Sequence, residues 1–203
     1  TGVSLTSAAV MLSVPESVKA ESADFYFERG FKKQDEGDHA GAISDYSKAI
    51  EINPTDNYVF YYNRGKAKRD LGDNYGAISD FSKAIKINPK IADTFTFRGN
   101  AKRDLEDYSG SIADYNKAID INPKDLLGYY NRGISKGLLE DFYGAISDFN
   151  KAIDINPFFA SSFLARAYVK EQLGDMKGAC SDWRKASKLH IDSANEQVKS
   201  KCK

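Results

Sequence analysis

The sequence predicts an all-α protein of five stacked helical hairpins followed by one closing helix. Three observations carry that prediction. A phrase ending in Asn-Pro returns at a fixed interval; apolar residues follow a helical period on both sides of a Gly/Asp punctuation within each interval; and columns of small and large residues recur in step.

The interval comes from Glu51-Ile52-Asn53-Pro54, Lys86-Ile87-Asn88-Pro89, Asp120-Ile121-Asn122-Pro123 and Asp154-Ile155-Asn156-Pro157, whose prolines lie 35, 34 and 34 residues apart. A fifth copy ends at Leu189-His190 instead of Asn-Pro, and the one extra residue falls between Pro54 and Tyr61. The copies occupy about 23–54, 55–89, 90–123, 124–157 and 158–190. A period of this length marks units that cannot bury their apolar face alone and must stack.

The hairpin is read most clearly in the second copy. Tyr61, Gly65, Ala67 and Leu71 trace a first helix, and Ala77, Ile78, Phe81, Ala84, Ile85 and Ile87 trace a second. Gly72-Asp73 stands between them. The acid recurs as Asp38, Asp107, Asp141 and Asp175, where a short carboxylate is placed to cap the second helix. Small residues stand where two helices must approach, as Gly30, Gly65, Gly99, Gly133 and Ala167 on the first helix and Ala42, Ala77, Ser111, Ala145 and Ala179 on the second. Large ones, Tyr46, Phe81, Tyr115, Phe149 and Trp183, alternate with Ala49, Ala84, Ala118, Ala152 and Ala186, so that a knob meets a hole.

With these columns the chain resembles the tetratricopeptide repeat (TPR) family over roughly residues 24–190. It is most similar to the prokaryotic-style branch reading Asn-Arg-Gly, then Gly-Asp, then Gly-Ala-Ile, as in Asn63-Arg64-Gly65 and Gly76-Ala77-Ile78. The resemblance implies a right-handed superhelical solenoid whose concave face is built by the first helix of each hairpin. It also implies a role in binding other proteins, and fixes the fold better than the partner.

Two columns depart from the general family pattern, and a third recurrent column is acidic. Arg29, Arg64, Arg98, Arg132 and Arg166 are followed one turn later by Lys33, Lys68, Lys102, Lys136 and Lys170. Asp45, Asp80, Asp114, Asp148 and Asp182 stand 16 residues after each Arg. One reading is a basic ladder for an anion or RNA. The other is structural: a hairpin turning midway brings Arg and Asp face to face as a bidentate pair, and recurrence in every copy favours it. The lysines are then expected to lay their stems along the core edge with the ammonium in water.

Lys plus Arg and Asp plus Glu number 29 each, and the absence of a positive excess argues against bulk nucleic-acid binding. No nucleic-acid partner is therefore expected. Two cysteines and two distant histidines, His39 and His190, leave no zinc or other metal set and no base for a nucleophile, and the two histidines read as surface variants. No phosphate-cradling Gly-Lys-Ser/Thr loop occurs either, so neither an enzyme nor a cofactor is expected.

Invariant columns maintain the stack, so binding is sought where copies differ on the concave face. The candidates are Phe27 and Phe31 in the first copy; Tyr62, Asn63, Lys66 and Arg69 in the second; Asn100 and Arg103 in the third; Tyr130, Asn131 and Ile134 in the fourth; and Tyr168 in the fifth. Rigid aromatics and Arg anchor recognition surfaces, and Asn63, Asn100 and Asn131 can pair with the backbone of an extended segment. The competing reading is that these rings only fill the inner wall. The carboxylate clamp of chaperone adaptors in this family is not matched. Asn100 and Asn131 hold its Asn columns, but Thr96, Ser161 and Ala165 stand where it needs cations. The expected function is a protein-protein adaptor or assembly scaffold binding a peptide or partner protein; the alternative is an RNA- or anion-binding array.

The ends carry two further expectations. Residues 1–22 contain an apolar run from Val3 to Val14 followed by Val18-Lys19-Ala20, read either as the remainder of an export leader or as a helix packing on the first copy through Leu5, Ala8, Ala9 and Leu12. Membrane contact is expected only through that segment. Residues 191–203 carry an apolar stripe of Ile191, Ala194, Val198 and Cys202, the pattern of a helix that solvates the end of an array. Cys180 holds an interior column on the same side. A Cys180–Cys202 disulfide fits an exported protein in a periplasm or lumen, and two buried thiols fit a cytoplasmic one.

Overall fold

The structure, a computed structural model, describes residues 22–55 and 57–203. Both expectations for the N-terminal run fall outside the described residues. Within them are eleven helices and no strand. Five hairpins follow one another: α1 (Ala23–Asp35) with α2 (His39–Ile52), α3 (Tyr58–Asp70) with α4 (Asn74–Ile87), α5 (Ala92–Asp104) with α6 (Tyr108–Ile121), α7 (Leu126–Leu138) with α8 (Phe142–Ile155), and α9 (Ala160–Gln172) with α10 (Met176–Lys188). A last helix, α11 (Asp192–Lys201), packs on α10. Each second helix packs on the next first helix. Successive first helices also touch, α1 on α3 through α7 on α9, more closely than successive second helices do. The stack therefore bends toward its first helices, which line the inner face.

Every hairpin turn is closed in the same way. Asp38, Asp73, Asp107, Asp141 and Asp175 each accept a hydrogen bond from the backbone N–H three residues on, at 2.8–3.0 Å. That residue is Gly41, Gly76, Gly110, Gly144 or Gly178, and a Cβ there would sit 2.0–2.1 Å from the capping carboxylate. The glycine is thus required by the cap itself: any side chain would displace the carboxylate from the N–H groups it satisfies.

Close approach of the two helices has an equally local cause. Tyr46, Phe81, Tyr115 and Phe149 lie flat over Gly30, Gly65, Gly99 and Gly133, where an added Cβ would come within 2.7–2.9 Å of the ring. The rings are fully buried, and with the alanine columns they form the continuous core between layers.

All five Arg–Asp pairs form. Each guanidinium donates from Nε and Nη2 to the two oxygens of the Asp 16 residues later, for example Arg64 to Asp80 at 2.8 Å twice and Arg98 to Asp114 at 2.9 and 2.6 Å. The lysine expectation needs correction. Lys33, Lys68, Lys102, Lys136 and Lys170 do not leave the ammonium in water but place Nζ 2.8–2.9 Å from the same carboxylates. The carboxylate is buried, so one cation leaves lone pairs unsatisfied and a second recovers the desolvation cost. In the first hairpin the hydrogen bond from Arg29 holds the Asp45 carboxyl below its usual range.

The arginines also join the hairpins. Nη1 of Arg64 and Arg98 donates to Ser47 and Ser82 of the preceding second helix, at 3.0 and 3.1 Å, and Arg132 and Arg166 reach Asn116 and Asn150 in the same column. Arg29 has no preceding second helix among the described residues, and its side chain is 41% exposed against 16–19% for the other four. Cys180 and Cys202 form a disulfide, Cα atoms 5.5 Å apart, that ties the end of α11 to α10.

The difference between first and inner arginines gives a matched pair of substitutions. Arg98→Leu leaves Asp114 with Lys102 alone and cuts the link to Ser82, and is expected to cost about 3 kcal/mol. Arg29→Leu removes a better-hydrated guanidinium that makes no link to a preceding helix and leaves the equally buried Asp45 to Lys33, and is expected to cost less, about 2 kcal/mol. Urea denaturation of both variants checks the order.

Candidate peptide-binding groove

The first helices carry the predicted site residues to the inner face in three groups. At the first-repeat end Phe27 packs between Tyr46 and Phe60, ring centroids 5.7 and 5.3 Å away, and Phe31 is half exposed beside it. Phe27 therefore belongs largely to the wall of the groove.

The middle group is a knot of rings and cations. Tyr62 packs on Phe81 and edge-on to Phe97, at 6.1 and 5.6 Å. Lys66 Nζ lies over both the Tyr62 and Phe97 rings at 5.6 and 5.4 Å, and the Arg69 guanidinium lies 5.2 Å from Phe97. Lys66 has no ion pair among the described residues, whereas Arg69 and Arg103 are held 3.6 and 3.5 Å from Asp70 and Asp104. The rings fix the cations at the groove surface without neutralising Lys66.

The three asparagines are engaged internally. Asn63 is buried and donates its amide to the Val59 carbonyl at 2.9 Å, so it is not presented to the groove. Asn100 accepts from the Tyr115 hydroxyl at 2.8 Å, and Asn131 accepts from Arg103 at 3.1 Å. The oxygens of Asn100 and Asn131 and the amide donor of Asn63 thus serve the array.

The third group forms a concave, apolar cleft of about 350 Å³ between α7 and α9. Tyr130, Ile134 and Tyr168, all expected from the sequence, line it together with Leu164, Val169 and Gly137. Tyr130 is braced against Phe149 and Phe159, and Tyr168, 37% exposed, against Trp183. Gly137 was missed from the sequence although a signal was present. It stands in a column otherwise filled by Gln34, Arg69, Arg103 and Glu171, so the groove loses a long polar side chain there. A Cβ on Gly137 would meet only Val169 and Ala145 at 3.7 and 3.9 Å, ordinary contacts, so packing does not require the glycine. It stands in the last turn of α7, where a glycine costs only a fraction of the roughly 1 kcal/mol that it costs at a helix centre relative to alanine.

Family models described as tetratricopeptide repeat match residues 23–56, 58–91 and 128–159, and one described as TPR repeat matches residues 99–137, together more than half of the chain. The chain belongs to the tetratricopeptide repeat family. The TPR array superposes on MamA with a TM-score of 0.76 at 24% identity, over 88% of this chain and 94% of that one. For YrrB, described as a TPR protein with an unusual peptide-binding site, the values are 0.74, 19%, 90% and 95%. For PilF of Pseudomonas aeruginosa they are 0.75, 16%, 86% and 79%. At these identities the likeness shows the fold. No curated protein matches the chain. The TPR fold is typically a non-catalytic scaffold.

Burial along the inner wall has a measurable consequence at high pH. The Tyr46 and Tyr62 phenols are pushed up to about 12, chiefly by burial, with Asp35 and Asp93 adding to it, and burial raises Tyr130 as well. A phenol whose folded value lies above its ordinary one near 10 contributes stability that is complete below about pH 10 and is lost as pH rises toward 12. The TPR array is therefore expected to unfold cooperatively in that window, with tyrosinate absorbance and helical circular dichroism changing together. Phenol ionisation near pH 10 with the helices intact is the contrary result.

Proposed function

We propose that this TPR protein is a non-catalytic adaptor or assembly scaffold that binds a peptide or partner segment along its concave face. The observation that carries the proposal is Gly137. A glycine in the last turn of α7 that packing does not need opens an apolar cleft beside fixed aromatic walls, and a cationic stretch built by Lys66 and Arg69 of the second hairpin and Arg103 of the third precedes it along the groove. The segment that suits this groove carries an apolar side chain for the cleft and acidic residues for the cations. Apolar contact supplies most of the affinity, and charge sets polarity and association rate. The anion or RNA alternative rested on the Arg29–Arg166 and Lys33–Lys170 columns, and each of those ten cations is bound to a buried Asp.

Selection of peptides from a random displayed library on the immobilised protein, followed by affinity measurement on Gly137→Ala and Gly137→Leu, tests this. The expected outcome is that both variants fold with thermal midpoints equal to the wild type's or slightly above it, since the last turn of α7 gains only a fraction of the roughly 1 kcal/mol of a helix centre. Gly137→Leu is further expected to bind the selected peptides roughly 10-fold or more weakly, a loss of about 1.4 kcal/mol or greater. Equal affinity for wild type and for Gly137→Leu combined with Tyr130→Ala removes the groove as the site.

We also infer an oxidising compartment, a periplasm or lumen, from the Cys180–Cys202 pair. No helix of the described residues is long and apolar enough to cross a membrane. Alkylation and mass spectrometry of the protein taken from its native cells are expected to find both thiols blocked. Two alkylated cysteines would place the protein in a reducing compartment.

A further inference from the structure

The last hairpin carries a charge pattern that neither the stack nor the groove explains. On the outer side of α10, Lys177, Arg184, Lys185 and Lys188 line an open cleft of about 540 Å³ with Ser181. All four cations are exposed, and none has an ion pair among the described residues. The one carboxylate in the lining, Asp182, is already held by Arg166 and Lys170.

Earlier copies do not build this stripe. The Lys177 column holds Ala40, Tyr75, Ser109 and Tyr143; the Lys188 column holds Glu51, Lys86, Asp120 and Asp154. The Arg184 column holds Ser47, Ser82, Asn116 and Asn150, the acceptors for the next hairpin's Arg. Only Lys185 continues a general feature, as Lys48, Lys83, Lys117 and Lys151. Three positions have thus become cationic together on one face.

Helix energetics do not account for it. Lys185 and Lys188 suit the negative end of the α10 dipole, but Lys177 is the second residue of the helix, where a cation is unfavourable. Arg184 and Lys188 are a like-charged pair four apart, which weakens an isolated helix. The stripe opposes local stability, and it shares no lining residue with the groove cleft.

We propose that this stripe docks the array on an anionic phospholipid surface, leaving the concave face open to its partner. The cations run over about 16 Å, eleven residues at the helical rise, room for two or three phosphates. Lys177 and Arg184 are cationic in this copy alone, in a chain with no net charge, while the opposite end presents Asp24, Glu28, Asp35 and Asp38, with Glu36 paired to Lys32. A polyanion tracking the array would meet those acids; a planar surface touching α10 alone does not. Tyr143, 78% exposed, holds the Lys177 column one hairpin earlier and offers the kind of amphipathic ring that settles among headgroups.

Sedimentation with vesicles tests the assignment on the full, oxidised chain. Wild-type protein is expected to pellet with phosphatidylcholine vesicles containing phosphatidylglycerol, not with phosphatidylcholine alone, and to be released as salt rises from about 0.05 M to about 0.5 M. A Lys177→Glu/Lys185→Glu/Lys188→Glu variant is expected to lose that binding by roughly 100-fold or more, each reversal counting twice in charge. Its helical circular dichroism and its affinity for groove-selected peptides are expected to be unchanged, which separates this proposal from the groove's. Equal pelleting with neutral vesicles, unchanged binding by the variant, or binding of polyuridylate in place of anionic vesicles overturns the membrane assignment.

Discussion

A buried carboxylate in each hairpin is the constraint around which the rest is arranged. Asp45, Asp80, Asp114, Asp148 and Asp182 are at most 4% exposed, a position an ionised group can hold only if its lone pairs are taken up. The Arg of the first helix takes both oxygens and the Lys one turn later takes one of them again, so the two helices of a hairpin are pinned at a fixed register. From the second hairpin onward the same Arg reaches backward with its third nitrogen into the preceding second helix. One side chain thereby sets both the fold of a repeat and the joint between repeats. Such a network is strong only when every member is present, which is the physical reason for its recurrence in all five copies.

That commitment decides where recognition can occur. The Arg29–Arg166 and Lys33–Lys170 columns are consumed by the stack, and so are the carboxylates opposite them. What remains for a partner is the set of columns on the inner face that the stack leaves unconstrained, from Phe31 through Lys66 and Asn100 to Ile134 and Tyr168. Along that column the groove changes from a ring, to an ammonium braced on rings, to an amide, to apolar side chains over the cleft. On the proposed groove reading, a partner segment would meet a different chemistry at each repeat, which would give it both a direction and a register.

The period, the hairpin turns and the Arg–Asp pairs were legible because each is a pairwise relation between fixed sequence distances. The lysines were misread because snorkelling to water and pairing with a buried carboxylate begin from the same methylene stem. Only the burial of Asp80 and its counterparts, a property of the whole stack, decides between them. The internal hydrogen bonds of Asn63, Asn100 and Asn131 were not legible for a related reason. A column on the inner helix does not reveal whether an amide points across the groove or back onto Val59, Tyr115 or Arg103. Gly137 is absent from the candidates because candidates are sought among side chains, and here the missing side chain shapes the cleft. The Arg–Ser and Arg–Asn links escaped notice because the acceptor column alternates between two residue types and looks variable.

The two ends of the array show what happens when a neighbour is missing from a column's duties. Ser47, Ser82, Asn116 and Asn150 cannot become cations, since each faces a guanidinium from the next hairpin. After the fifth hairpin comes α11, which brings no such Arg, and the column becomes Arg184, donating instead to the Cys202 carbonyl at 3.0 Å. The disulfide that fixes α11 also fixes that carbonyl, so the arrangement replacing the rung is covalently held. Release from packing duty permits Arg184 but does not by itself favour Lys177 or Lys188, whose columns face solvent in every copy and could have kept a neutral or acidic residue. Permission at one position and cationic residues at two unconstrained ones are separate events, and their coincidence on a single face is what a surface role demands and a stacking role does not.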